Sequence, residues 1–170
     1  IRDSFDGEYY LDNIDINKLS ESKKSKLRSS KIGIVLQDFA LIDDFTVFEN
    51  VMTPLYFNKK IKDKKGSVMR ALKKTGIASL KSKKVSQLSG GQKQRVAISR
   101  ALVTSPEYIF ADEPTGSLDS KTSEEIVKML FDLNRNGITI IIVTHNLDIA
   151  NKCQRVIEIK DGNIIEDNCS

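Results

Sequence analysis

Residues 85–119 read VSQLSGGQKQRVAISRALVTSPEYIFADEPTGSLD, and the order of the pieces in that stretch sets the reading of the whole chain. Leu88-Ser89-Gly90-Gly91-Gln92 places two glycines at the start of a helix with Val96, Ala97, Ala101 and Leu102 inward. Ser89 and Gln92 stand three apart, the spacing of a capping box. Pro106 ends the helix, since proline lacks the N–H that would continue it. An apolar run, Tyr108-Ile109-Phe110-Ala111, then ends in Asp112-Glu113 and leads through a turn to Ser117-Leu118-Asp119.

Each piece suits phosphate chemistry. A helix start exposes N–H groups and the positive end of its dipole, which together bind anions, and glycine lets backbone approach phosphate closely. Ser89 is open to two readings, an N-cap or a donor to a phosphate oxygen. An acid at the C-terminal end of a buried strand sits at the sheet edge where α/β folds bind ligands. Phosphoanhydride hydrolysis needs a carboxylate for Mg²⁺ and a group that orients or deprotonates water. Asp112 suits the first role, through coordinated water, and Glu113 the second.

Working outward, strand-like and helix-like segments alternate, which predicts an α/β domain with a largely parallel sheet. Residues 8–16 predict an exposed antiparallel strand and turn, and residues 20–28 a short polar helix. Residues 31–36 predict a buried strand that delivers Gln37 at its end. Thr46 and Glu49 form a second capping box, ahead of a stripe of Val47, Phe48, Val51 and Met52 that Pro54 breaks or kinks. A further helix runs from about Gly66 to Thr75. Residues 108–112 and 138–144 are short, β-rich and apolar throughout, so both are expected as central strands buried on both faces. Residues 121–134 form the amphipathic crossover between them, with Ile126, Val127, Leu130 and Leu133 inward. His145, the only histidine, follows Thr144 at the end of the second strand and so falls near the Asp112-Glu113 edge. Asp161-Gly162 marks a closing hairpin.

A chain of 170 residues is one domain by length, large enough for a single core. No apolar run approaches the ~20 residues needed to span a bilayer. The net charge of +4 comes from lysine clusters at 23–26, 59–65 and 81–84. No aromatics interleave with them to stack bases, so they read as solvated faces and no nucleic-acid partner is expected. Cys153 and Cys169 lack metal-binding or disulfide spacing and are expected as inert thiols.

From about Asp6 to Glu166 the chain resembles ATP-binding cassette (ABC) ATPases, and most of all the subunits of lipoprotein-release, macrolide-export and bacteriocin-export type transporters. Residues 32–39 (IGIVLQDF), 49–55 (ENVMTPL), 88–95 (LSGGQKQR) and 112–119 (DEPTGSLD) carry the resemblance. It implies a P-loop NTPase-like three-layer α/β sandwich with a helical subdomain. Residues 1–37 and 105–170 would form the nucleotide-binding core, and residues 38–104 the helical subdomain with the signature. ATP and Mg²⁺ are implied. Glu113 and His145 would be catalytic, His145 meeting the γ-phosphate and orienting water. Gln37 and Asp112 would face the metal, and Gln37, Ser89, Gly90, Gly91, Gln92 and Asp119 the nucleotide. Arg95 and Arg100 are expected to support local structure. Partners would be a second cassette, in a head-to-tail homodimer, and a transmembrane permease docked on residues 43–57. The location would be cytoplasmic, peripheral on the inner face of the plasma membrane.

One motif of the family is not in the sequence. No G-x-x-x-x-G-K-[S/T] phosphate loop occurs in residues 1–170, so the resemblance implies that it precedes Ile1. Residues 1–170 are then expected to be an N-terminally truncated cassette, poorly soluble and without ATPase activity of its own. A non-catalytic subunit that contributes only an LSGGQ half-site is the alternative, and Glu113 and His145 argue against it. Cassette ATPases of DNA repair carry long coiled-coil arms between the motif groups; the short segment from Gln37 to Leu88 has no sustained heptads.

Overall fold

The computed structural model describes residues 7–58 and 60–169; Ile1 to Asp6, Lys59 of the second lysine cluster and Ser170 lie outside the described residues. The chain opens with a tight antiparallel pair, β1 (Tyr10–Leu11) and β2 (Ile14–Asp15). Asp12 and Asn13, both at positive φ, form the turn between them; short polar side chains tolerate that region best among non-glycine residues. The polar helix α1 (Glu21–Lys31) has no buried residue and runs into β3 (Ile32–Val35).

α2 (Val47–Phe57) starts on the predicted capping box: Glu49 N–H donates to Thr46 Oγ1 at 3.2 Å, and Thr46 N–H to Glu49 Oε2 at 2.8 Å. The helix continues past Pro54 to Phe57, where the sequence predicts a break or kink. Pro54 cannot donate to the Asn50 carbonyl, and the Thr53 hydroxyl does so instead at 2.8 Å. The buried Asn50 side chain is itself satisfied by Ile42 and Thr46, which ties the preceding loop to the helix. α3 (Lys64–Lys74) is capped by Asp63, which accepts from Gly66 N–H.

α4 (Gly90–Leu102) lies at the centre of the molecule and packs on α2, α3 and β3. Buried residues occur nearly all round it, including Val96, Ala97, Ile98, Ala101 and Leu102. At Gly33 of β3 a Cβ would lie 2.8 Å from the Ala101 carbonyl. Only glycine lets strand and helix approach that closely. After α4 come β4 (Tyr108–Asp112), α5 (Ser120–Arg135) and β5 (Thr139–Val143). α5 buries the four predicted residues Ile126, Val127, Leu130 and Leu133.

The three longer strands pair in parallel in the order β3-β4-β5, with Val35 beside Ala111 and Ala111 beside Ile142. Gly33, Val35, Ile109 and Ala111 face α4 and the core. The expectation of burial on both faces is corrected here. On the opposite face Ile34 is 53% exposed, Phe110 37% and Val143 59%. Among the described residues the helices cover one face, and β5 pairs only with β4. A short helix α6 (Leu147–Ala150) and an exposed hairpin, β6 (Arg155–Lys160) with β7 (Asn163–Cys169), close the chain. The hairpin turns at Asp161 and Gly162, both at positive φ. No helix among the described residues is long and apolar enough to cross a membrane.

Candidate functional site

Parallel pairing in register brings the ends of β3, β4 and β5 to one edge, so Gln37, Asp112-Glu113 and Thr144-His145 emerge together. Glu113 carries this edge. Its backbone continues the sheet, with Glu113 N–H donating to the Val143 carbonyl at 2.9 Å. Its carboxylate then accepts three groups from the end of β5. His145 N–H reaches Oε1 at 2.9 Å, His145 Nδ1 lies 2.6 Å from the same oxygen, and Thr144 Oγ1 donates to Oε2 at 3.1 Å. Desolvation pushes the Glu113 carboxyl up. The hydrogen bonds from His145 and Thr144 outweigh it and hold the group below the usual glutamate range. An ionised carboxylate can only accept, so the His145 proton in this contact sits on Nδ1. The imidazole is otherwise exposed, with 87% of the side chain open to solvent.

Asp112 ends β4 with an exposed side chain. Gln37 extends over the turn that follows Glu113: a Cβ on Gly116 would come within 3.0 Å of Gln37 Nε2. The glycine of Pro114-Thr115-Gly116 thus makes room for the glutamine amide.

The signature turn sits apart from these strand ends, against α5. Ser89 and Gln92 form the expected capping box, with bonds of 3.4 and 3.2 Å. That use takes a lone pair of Ser89 Oγ and leaves its hydroxyl proton free to donate. A Cβ on Gly90 would lie 3.3 Å from Leu118 Cδ2, and one on Gly91 only 2.3 Å from Thr122 Cγ2. Thr122 cannot turn away freely, because its hydroxyl donates to Asp119 Oδ2 at 2.6 Å. Internal packing therefore already requires glycine at position 91. Asp119 caps α5 through Thr122 N–H at 3.0 Å, and the bonds from Thr122 hold its carboxyl below the usual range.

The two arginines stay in local structure, as expected. Arg95 joins the Thr75 carbonyl to Glu125. Arg100 donates to the carbonyls of Phe39 and Ala40, two consecutive residues at positive φ just after Gln37. Burial lowers the Arg100 pKa, yet an arginine stays charged throughout the physiological range.

Sequence reading gave no role to Thr144 or Gln94. Gln94 Nε2 donates to the Pro114 carbonyl at 2.7 Å from a fully buried position, joining the signature helix to the turn after Glu113. Its signal was a polar residue in register with the apolar stripe of Ala97 and Ala101. A cleft of about 660 Å³ runs beside the turn, bordered by Glu113, His145, Leu118, Val127, Phe131 and Ile149. Asp112, Gln37 and the signature residues do not line it.

This geometry agrees with the comparisons to known proteins. The sequence profile of the family described as ABC transporter matches residues 3–116. The chain is 46% identical over 162 residues to the uncharacterized ABC transporter ATP-binding protein YvrO of Bacillus subtilis, covering 95% of this chain and 71% of that protein. Over 165 residues it is 45% identical to the uncharacterized ABC transporter ATP-binding protein MJ0796 of Methanocaldococcus jannaschii, covering 94% and 70%. It is 44% identical over 162 residues to the macrolide export ATP-binding/permease protein MacB of Mannheimia succiniciproducens, but spans only 25% of that longer protein. The fold superimposes on the dimeric post-hydrolysis structure of MJ0796 bound to ADP and Pi with a TM-score of 0.84, at 41% identity over 96% of this chain and 73% of that one. Matched by the family profile over more than half its length, and by relatives above 40% identity over most of its residues, this chain belongs to the ABC transporter ATPase family.

Proposed function

We propose that the full-length protein hydrolyses ATP, with Glu113 as the base for the attacking water. The observation that carries this reading is the Glu113 carboxylate, ionised and held by Thr144 and His145 at the edge where Asp112 and Gln37 also emerge. Water would attack the γ-phosphorus and pass a proton to Glu113, and the bond from phosphorus to the leaving ADP oxygen would break. With Nδ1–H committed to Glu113, His145 would donate from Nε2 to the γ-phosphate in its doubly protonated form, the only form in which both ring nitrogens are donors. Ser89 would present its hydroxyl proton to phosphate, beside the N–H groups of Gly90, Gly91 and Gln92. Asp119 would lie at the cassette interface.

The residues present fit Mg²⁺. One exposed carboxylate, Asp112, and one amide, Gln37, seated in the space left by Gly116, suit an ion that keeps water and substrate phosphates as its other ligands. Bound there, Mg²⁺ would neutralise phosphate charge.

Dimerisation with a second copy is supported by the dimeric MJ0796 structure. A permease partner is supported by the ATP-binding/permease name of MacB, and the proposed place beside it is the inner face of the membrane. Residues 38–104 would move as the signature subdomain between core and permease. Transport in the export direction is the proposed use of the cycle.

The test is Glu113→Gln in the full-length protein. Loss of a general base costs about 10²–10⁴ in rate, so turnover should nearly vanish while ATP-bound dimers accumulate. Turnover at the wild-type rate would end this assignment.

A further inference from the structure

We infer that Gln94 is a positioning residue for Glu113, acting through the Pro114 carbonyl; the inference rests on the reading of Glu113 as the base. Glu113 adopts φ +41°, which is unfavourable for a residue with a side chain. It also precedes Pro114, and proline pushes the residue before it toward extended backbone. Such a conformation persists only where its surroundings over-determine it.

Three hydrogen bonds do so. Glu113 N–H donates to the Val143 carbonyl at 2.9 Å and Gly116 N–H to the Glu113 carbonyl at 3.0 Å. Gln94 Nε2 donates to the Pro114 carbonyl at 2.7 Å. The first two belong to the sheet and to the turn itself. The third alone comes from outside the sheet and the turn, from the first half of α4. Gln94 is fully buried, so water does not compete for the bond.

The other end of the same amide limits what this contact adds to stability. Gln94 Oε1 is buried and has no hydrogen-bond partner among the described residues. An unsatisfied buried carbonyl is costly. Leucine at this position would remove that orphan oxygen but leave the carbonyl of buried Pro114 without its Gln94 donor, so one unsatisfied carbonyl replaces another. A glutamine that burdens the core to reach Pro114 is the kind of local conflict expected at a functional site. Its hold on Pro114 fixes the turn from which the Glu113 carboxylate projects toward Thr144 and His145, and a misplacement near 1 Å can cost ~100-fold in rate.

The experiment compares Gln94→Leu, Gln94→Glu and Glu113→Gln in the full-length protein, measuring kcat, KM for ATP and Tm. For Gln94→Leu the expected result is a fall in kcat of about tenfold or more, with KM within about twofold and Tm near the wild-type value, since one orphan carbonyl replaces another. In Gln94→Glu the new carboxyl can donate to the Pro114 carbonyl when protonated and cannot when ionised. That variant should therefore add a new limb to the pH profile, kcat falling as pH rises through the carboxyl titration. Wild-type kcat in Gln94→Leu, or a loss that merely follows the folded fraction, overturns the inference. Should Gln94→Leu not fold, a Gln94→Glu profile parallel to wild type overturns it equally. Full turnover in Glu113→Gln would instead remove the base reading itself. An inactive Glu113→Gln beside a fully active Gln94→Leu removes the Gln94 role alone.

Discussion

At the residue scale, the three donors around the Glu113 carboxylate predict how it titrates. Burial works to raise its pKa; the bonds from His145 and Thr144 together lower it further than burial raises it. A carboxyl whose folded value lies below its unfolded value stabilises the fold fully above the ordinary glutamate range. That contribution is lost as pH falls through the lower, folded value. Thr144→Val removes the donor at Oε2, so the folded value should move up toward the ordinary one. Thr144→Ser, which keeps the hydroxyl, should restore it. A carbon-detected NMR titration of the Glu113 side chain reads this directly. Identical titration in wild type and Thr144→Val would show that the hydroxyl does not hold the carboxylate in solution.

At the element scale, α2 separates two kinds of apolar residue that sequence alone runs together. Val51 shares the predicted stripe with Phe48, but Val51 is fully buried in the core, whereas Tyr56 is 63% and Phe57 84% exposed. An outward face at the end of the helix, and not the stripe as a whole, is therefore the surface available to a permease. Phe57→Asp should leave Tm and basal ATPase activity near wild type while uncoupling hydrolysis from transport. Val51→Asp should destabilise the fold by at least about 3 kcal/mol, because it buries an unpaired charge. Normal transport by Phe57→Asp would place the docking surface elsewhere.

At the scale of the whole molecule, the sheet is covered on one side by α4 and α5 and open on the other among the described residues. Ile34, Phe110 and Val143 lie on the open side, and β5 is an edge strand. Contiguous apolar surface of this kind recruits other apolar surface, and an unpaired edge invites further strand pairing. Residues 1–170 should therefore bind an apolar fluorescent dye and self-associate as concentration rises. Ile34→Lys with Val143→Lys should reduce both without lowering Tm, since neither side chain is in the core. Dye binding no greater than that of a protein with a fully covered sheet would contradict this exposure.

The sequence by itself determined the elements and the family. Capping boxes at Thr46 and Ser89, the 3.6-residue periodicity of α5 and the turn at Asp161-Gly162 are local physics, written within a few residues of where they act. The motif order around Ser89-Gly90-Gly91 and Asp112-Glu113 carried the resemblance that the comparisons then showed. Tertiary structure alone decided what depends on residues distant in sequence. An apolar run cannot say how many of its faces are covered, so β4 and β5 read as buried on both. Pro54 reads as a break or a kink, and only the fold shows that the helix runs on, with the Thr53 hydroxyl donating where the proline cannot. Gly91 reads in sequence only as a place for backbone to approach phosphate; that packing against Thr122 also requires glycine there is seen only in the fold. Thr144 shows nothing of its role in sequence, and Gln94 only a polar residue in an apolar stripe, because their partners lie 31 and 20 positions away. Only folding brings a strand end and a buried helix to the turn that holds Glu113.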